Sequence, residues 1–346
     1  MKNNYLFKKF CKDRNIKSST VKGYESALKL YVSFNKMSIE NLINEAIVEE
    51  EERIPLKDRT IKNRLLNYRN FLLNSKMSPN TSRTYFSKIK TFYIHYEIEL
   101  PILPLAKYDK IYETNYLDLP TKKHIAQALD ISKLDMKAII LFMSSSGTAK
   151  AETLSLTVEH FINGTQSYHN GGSVKDILNQ LDNKNNIIPT FYLKRIKTDK
   201  YYYTFCSPEA TKYIVKYLLS RGNIKLKDKL FDFTDSSLIT KFQEINDKLD
   251  WGFKGKYRFF RSHTLRKFHA SNIGLSAEYI DSLQGRSKNE VHETYIKTNP
   301  EKLREIYKSS MKNILIFDKK EEKKIKQQEF NITINVFLSG KEYNII

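Results

Sequence analysis

The stretch His263-Thr264-Leu265-Arg266, followed after a helix-like spacer by Leu283-Gln284-Gly285-Arg286-Ser287 and then by Tyr295, decides how this chain is read. It gathers cationic hydrogen-bond donors and one phenol in a short span. Those are the groups needed to hold a phosphodiester and attack it without a metal. A lone His-x-x-Arg would say little, since any basic helix contains one by chance; the spacing of the whole set is what carries the reading.

That pattern resembles the catalytic domain of the tyrosine recombinases, or phage-type integrases. Their signature is His-x-x-Arg, then Gly followed by His or Trp, then a Tyr nucleophile nine residues on. Arg286 holds the His/Trp place and Tyr295 lies nine positions later. The resemblance implies a mostly α fold with a small β-sheet. It places a helical core-binding bundle over residues 1–100, a linker over 101–120 and an α+β catalytic domain over 121–318. A charged extension, 319–346, carries a strand-like run from Asn331 to Leu338.

Composition points to a polyanionic partner before any motif does. Lys and Arg number 59 against 39 Asp and Glu, a formal charge of +20. Residues 1–110 carry +9 and the remainder +11, so both parts present a basic surface to a phosphate backbone. With 346 residues, two domains of ordinary size are expected. Only Cys11 and Cys206 are present, which excludes a disulfide framework and suits a reducing interior. There is no apolar stretch of signal-peptide or membrane length, so a cytoplasmic protein with no membrane partner is expected.

The first hundred residues show helical periodicity. After Ser18-Ser19-Thr20, read as a cap, Val21, Tyr24, Leu28, Tyr31 and Val32 form one stripe. Ile61, Leu65, Tyr68 and Phe71 form a second from near Asp58, and Tyr85, Ile89, Phe92 and Tyr96 a third after Ser78-Pro79-Asn80. The run Glu49-Glu50-Glu51-Glu52 reads as a solvated helix end or loop. The opposite faces carry Lys17, Lys22, Arg64, Arg69, Arg83 and Lys88. Ordinary solvated surface accounts for most such lysines, and the resemblance adds a DNA-binding role for this set.

Past the linker, helices are expected around Thr121 to Leu129 and Met136 to Met143, leading into Ser146-Gly147-Thr148-Ala149-Lys150-Ala151-Glu152-Thr153-Leu154. This segment resembles the family's Gly-Leu-Arg-x-x-Glu-Leu, in which Arg is the first phosphate-binding arginine and Glu buttresses the site. Gly147 and Glu152 match, Leu154 comes one residue late, and the Arg place falls on Ala149. Alanine has neither charge nor donor. Losing one preorganised donor costs roughly 10²–10³ in rate, so weak or absent cleavage is expected. Three explanations stand: an arginine replaced by design, which the otherwise filled motif favours; a naturally impaired enzyme; or partial replacement by Lys150.

Asn163 to Asn186 is polar and reads as a loop or hairpin extension. Ile188 to Leu193 and Tyr201 to Phe205 read as two strands joined through Lys194-Arg195-Ile196-Lys197-Thr198-Asp199-Lys200. Tyrosine recombinases place a catalytic Lys on such a hairpin, and the resemblance selects Lys197, with Lys194 and Lys200 as fallbacks. Lys194, Arg195, Lys200, Arg261 and Lys267 are expected at the DNA. Helices are also expected from Ser207-Pro208-Glu209, from Ser236 to Leu249 and from Pro300 to Ile316.

By resemblance, Tyr295 would attack the scissile phosphate to form a 3′-phosphotyrosyl link. Arg266, His263 and Arg286 would hold the non-bridging oxygens, Glu152 would buttress them, and Lys197 would protonate the leaving 5′-oxygen. His269 and His292 read as packed or exposed histidines. No metal or other cofactor is implied. The partners are double-stranded DNA and further copies of the chain, a dimer on one site and a tetramer in synapsis. A type IB topoisomerase, a telomere resolvase and a non-cleaving DNA-binding relative share parts of the pattern.

Overall fold

In the computed structural model, residues 3–106, 115–286 and 299–317 are described. The chain divides into two units, Met1–Glu113 and Thr114–Ile346. The fold is mostly α, with two small antiparallel sheets among the described residues. No helix among those residues is long and apolar enough to cross a membrane.

The first unit contains α1 (Tyr5–Asp13), α2 (Ser18–Asn35), α3 (Ile39–Glu51), α4 (Thr60–Asn74) and α5 (Pro79–His95). The expected stripes face inward: Tyr24, Leu28 and Tyr31 of α2, Ile61, Leu65 and Tyr68 of α4, and Ile89, Phe92 and Tyr93 of α5 are buried together. The hydroxyls of Tyr31 and Tyr93 share a 3.1 Å hydrogen bond in that core. Ser78 caps α5, accepting from Thr81 N at 3.3 Å, with Pro79 in the first turn as its missing N–H allows. Ser18 to Thr20 instead lie inside the first turn of α2, whose cap position is Lys17 without a side-chain bond.

The acidic run is more than a solvated end. Glu49 lies in the last turn of α3 and its carboxylate accepts from Thr60 N at 2.9 and 3.1 Å, satisfying a free donor at the start of α4. Glu50 pairs with Arg59 at 2.6 Å, while Glu51 and Glu52 stay exposed. Dense like charge hid the helix because Ile39, Leu42, Ile43 and Ala46, the stripe that buries α3, precede it.

The second unit is built round α7 (Leu134–Ser146), preceded by α6 (Lys122–Asp130). Helix α7 is buried nearly all round, with Met136 and every residue from Ala138 to Ser146 inside, as befits a central helix. Its last carbonyls lack partners within the helix. Thr204 Oγ1 donates to Ser146 O at 3.0 Å, Tyr307 Oη donates to Ser145 O at 3.0 Å, and Gly147 N donates to Met143 O at 3.1 Å.

Further along lie α8 (Lys150–Ser155), α9 (Val158–Gly164) and α10 (Val174–Asp182), then β1 (Thr190–Lys194) and β2 (Tyr201–Phe205). Helix α10 corrects the loop reading of 163–186. Ser173 and Asp176 form a reciprocal cap, and Ile177, Leu178 and Leu181 enter the core. Strands β1 and β2 pair antiparallel with Lys194 opposite Tyr201. Phe191, Leu193, Tyr202 and Thr204 face inward.

Next come α11 (Pro208–Ser220), α12 (Asp235–Lys248), the short pair β3 (Phe253–Lys254) and β4 (Tyr257–Arg258), α13 (Ser262–Asn272), α14 (Ala277–Leu283) and α15 (Pro300–Ser310). The helix expected to run to Ile316 ends at Ser310 and gives way to a 3₁₀ turn, Met311–Asn313. Beyond it, the carboxylate of Glu209 accepts from Ile316 N at 2.9 Å and Phe317 N at 2.8 Å. The strand-like run Asn331 to Leu338 lies outside the described residues. Cys11 and Cys206 are both free thiols.

Candidate active site

Arg266 is the centre of the second unit's polar cluster. It sits on α13, only 6% exposed, and its two terminal nitrogens are spread between main-chain carbonyls. Nη1 donates to Gly147 O at 2.6 Å and Nη2 to Gln284 O at 2.8 Å. Burial, then the nearby Arg195 cation, lowers its pKa to about 10. The guanidinium remains charged at neutral pH, held by the two peptide dipoles.

Two glycines let the backbone come this close. Gly147 ends α7 at φ +65°, and a Cβ there would lie 2.6 Å from His269 Nδ1 and 2.7 Å from Gln284 Nε2. Gly285, at φ +59°, lies against the ring of Tyr202 from β2; a Cβ would stand 2.5 Å from Tyr202 Cδ1. The glycine of the Gly-Arg pair is thus required by a packed aromatic ring.

Gln284 completes the wall. Its Nε2 donates to Arg266 O at 3.1 Å and to His269 Nδ1 at 3.0 Å. Accepting at Nδ1 places the His269 proton on Nε2, an assignment that follows from the bond. His269 is fully buried, and burial first, then Arg266 and Arg286, lowers its pKa to about 3. The unfolded imidazole titrates near 6.5, so between those values the folded chain binds fewer protons. Stability from this group is complete above 6.5 and declines as pH falls toward 3. From pH 7 to pH 5 the loss is about 2 kcal/mol. His269→Asn should remove that part of the slope in urea unfolding followed by Trp251 fluorescence; an unchanged slope would contradict it.

Glu152, on α8, is 2% exposed and faces the hairpin turn. Its Oε1 accepts from Ile196 N at 3.3 Å and lies 3.2 Å from Arg195 Nη1. Glu152 Oε2 and the Tyr202 hydroxyl are buried without a hydrogen-bond partner among the described residues. Ala149 caps α8 with no side-chain bond, and Lys150 turns to Asp235 at 2.6 Å.

His263 lies in the first turn of α13, and Arg286 follows Gly285 with Nη1 3.6 Å from Asp281 Oδ1. Crowding by protein atoms, then the fields of Arg261, Lys267, Arg266 and Arg286, lowers the His263 pKa to about 4. His263 is exposed, and solvent screens those fields in part. The imidazole is neutral at pH 7.

The structure therefore brings Arg266, Glu152 and Arg195 together, with His263 and Arg286 within the same positive field. Lys197 and Lys200 are exposed on the turn, and Lys194 pairs with Asp199 at 3.3 Å. Arg261 lies over the Tyr257 ring, 4.4 Å from its centroid, and Lys267 is half-buried. Tyr295 and His292 lie outside the described residues.

In the first unit Lys17, Lys22 and Arg83 are exposed, and three further residues expected at the DNA make the following contacts within the chain. Arg64 forks onto Glu45, with Nη2 to Oε1 at 2.7 Å, and donates to Asn35 Oδ1 at 3.1 Å. Arg69 donates to the Pro104 carbonyl. The Lys88 ammonium stands 5.3 Å from the centroid of the Tyr24 ring. Sequence reading gave no site role to Tyr202, Gln284 or His269; the adjacency of Gln284 to the Gly-Arg pair was the one available signal.

No protein-family model and no curated protein sequence matches the chain. Solved structures do. A lambda integrase tetramer bound to a Holliday junction is 12% identical, covering 84% of this chain and 75% of that one, with a TM-score of 0.55. A lambda integrase dimer bound to a COC′ core site is likewise 12% identical, covering 85% and 97%, with a TM-score of 0.54. Identity this low speaks for architecture alone. With its helical first unit, its hairpin and its His-x-x-Arg helix, the chain has the tyrosine-recombinase, or phage-integrase, fold.

Proposed function

We propose that this chain is a site-specific DNA recombinase or integrase that breaks and rejoins DNA through a 3′-phosphotyrosyl intermediate. The observation that carries the reading is the buried Arg266 guanidinium, fixed by two carbonyls and surrounded by further cations. A cluster of like charges around a rigid fork suits a tetrahedral oxyanion.

Tyr295 Oη would attack phosphorus in line, forming the Tyr295–phosphorus bond as the bond to the 5′-oxygen breaks. Arg266 and Arg286 would neutralise the non-bridging oxygens. The neutral His263 imidazole would donate its one N–H to the same group. Lys197 would give its proton to the departing 5′-oxygen, leaving a free hydroxyl. The phosphotyrosyl bond conserves the energy, so a different 5′-hydroxyl attacking in reverse joins new strands without ATP.

The helical bundle of residues 1–100 would add a second basic surface for double-stranded DNA, with the cleaving chemistry in 121–318. Lambda integrase occurs as a dimer on a core site and a tetramer on a Holliday junction, and we assign the same assemblies to this chain. Ala149 favours one second reading, a DNA-binding relative that does not cleave.

The test uses a pool of nicked duplexes with a randomised centre, enriched for binding to the Tyr295→Phe chain so that selection precedes cleavage. A denaturation-resistant protein–DNA adduct is expected from a chain bearing Tyr295 and none from Tyr295→Phe. An adduct that survives Tyr295→Phe, or no adduct from either the parent or Ala149→Arg, sinks the recombinase reading.

A further inference from the structure

We propose that Arg195, from the hairpin turn, is the first phosphate-gripping arginine of this site and stands in for the guanidinium absent at Ala149. The inference rests on the recombinase reading above and adds a residue to its active site.

The geometry begins at Glu152. Thr153 N donates to Ala149 O at 2.9 Å, so Ala149 and Glu152 share the first turn of α8. An arginine at 149 would meet this carboxylate. Instead Arg195 reaches it from across the cluster, with Nη1 3.2 Å from Oε1 and its side chain only 16% exposed.

The strand directs it there. Phe191 and Leu193 face inward on β1, and Arg195 is the next residue in that alternation. Its backbone closes the turn: Arg195 N donates to Lys200 O at 2.7 Å, while its carbonyl accepts from Thr198 N at 3.2 Å and Asp199 N at 2.8 Å. Ile196 N, donating to the same Glu152 carboxylate, latches the turn onto α8. Arg195 is therefore preorganised before any ligand arrives.

Its surroundings ask for an anion. Arg195 is the charged side chain that acts most strongly on Arg266, and both guanidiniums lie on the 147–152 segment, one on Gly147 O and one on Glu152. The Arg195 Nη1 donor is buried at ion-pair distance from Glu152 without an aligned hydrogen bond. Buried donors are seldom left so. A phosphodiester bridging the two guanidiniums would satisfy that donor and relieve their repulsion. Lys150 turns instead to Asp235. On this proposal the deficit expected from Ala149 is made good by a residue of another element.

The enriched nicked duplexes give the test. The parent should form the Tyr295-dependent adduct, and Arg195→Ala should form it roughly 10²–10³ times more slowly. Adding Ala149→Arg to Arg195→Ala should restore at least tenfold, a rescue that a merely structural Arg195 would not show. A methylphosphonate at the scissile position, which removes the negative charge, should narrow the gap between parent and Arg195→Ala. Should Arg195→Ala fail to fold, Arg195→Gln replaces it in the same comparison.

An Arg195 variant that cleaves like the parent overturns the inference and leaves the recombinase reading intact. So does an inert parent made active by Ala149→Arg alone. If neither parent nor Ala149→Arg forms an adduct, the recombinase reading fails and this inference with it.

Discussion

Arg266→Ala should slow formation of the covalent adduct by roughly 10²–10³, the typical cost of one lost donor to a developing oxyanion. Its effect on stability should be much smaller. Removing the side chain leaves the Gly147 and Gln284 carbonyls without their donor, about 1–3 kcal/mol each, and at the same time removes a largely desolvated cation. The two contributions oppose one another, so cleavage collapses while the fold persists. Arg266→Lys should recover little, because one ammonium does not span two carbonyls and a phosphate in the fork geometry of a guanidinium. Adduct rates on the enriched duplexes, read beside urea unfolding, check both halves. Cleavage within about fivefold of the parent would place the chemistry elsewhere.

Gly147→Ala should give the largest loss of stability. At φ +65° a side chain costs about 1 kcal/mol, and the added methyl must displace His269 and Gln284, roughly 1–3 kcal/mol more. The sum, about 2–4 kcal/mol, corresponds to a fall of roughly 5–15 °C in Tm for a domain of this size. Trp251 is the only tryptophan in the chain, and it packs against Phe259 and Phe260. Its fluorescence therefore reports unfolding of the second unit while the first is silent. Gly222 is the control: φ is +75° there too, with nothing within 4 Å of an added Cβ. Gly222→Ala should cost only about 1 kcal/mol. Equal shifts at the two glycines would mean that the contacts around Gly147 contribute nothing.

The parts of this molecule legible from sequence were those where one local rule dominates. The stripes of α2, α4 and α5, the Ser78-Pro79 start and the hairpin all follow from periodicity or capping. Helix α10 was missed because Asn, Gly and Ser surround it, although Ser173 and Asp176 spell its cap and Ile177, Leu178 and Leu181 its buried stripe. Helix α3 was missed because its acidic end drew attention from the apolar residues before it.

At the site, residue types were legible and their partners were not. His263, Arg266 and Glu152 were named from the family resemblance, but nothing local shows that Arg266 binds the carbonyls of residues 147 and 284. Those contacts join positions far apart in the chain. Arg195 was expected at the DNA beside Lys194 and Lys200, not in the buried cluster with Glu152. The alternation Phe191, Leu193, Arg195 held the evidence that it turns inward.

The way Arg266 is held has an evolutionary consequence. Its position is encoded by the path of the main chain, through two carbonyls and two glycines, rather than by a complementary side chain. With alanine at 149 both hydrogen bonds to those carbonyls are in place. A lineage can therefore lose an arginine from one element and recruit another from a different element while this anchor keeps its place. Relatives with this fold should be compared by where guanidiniums converge in space, since alignment columns would score such a migration as a loss.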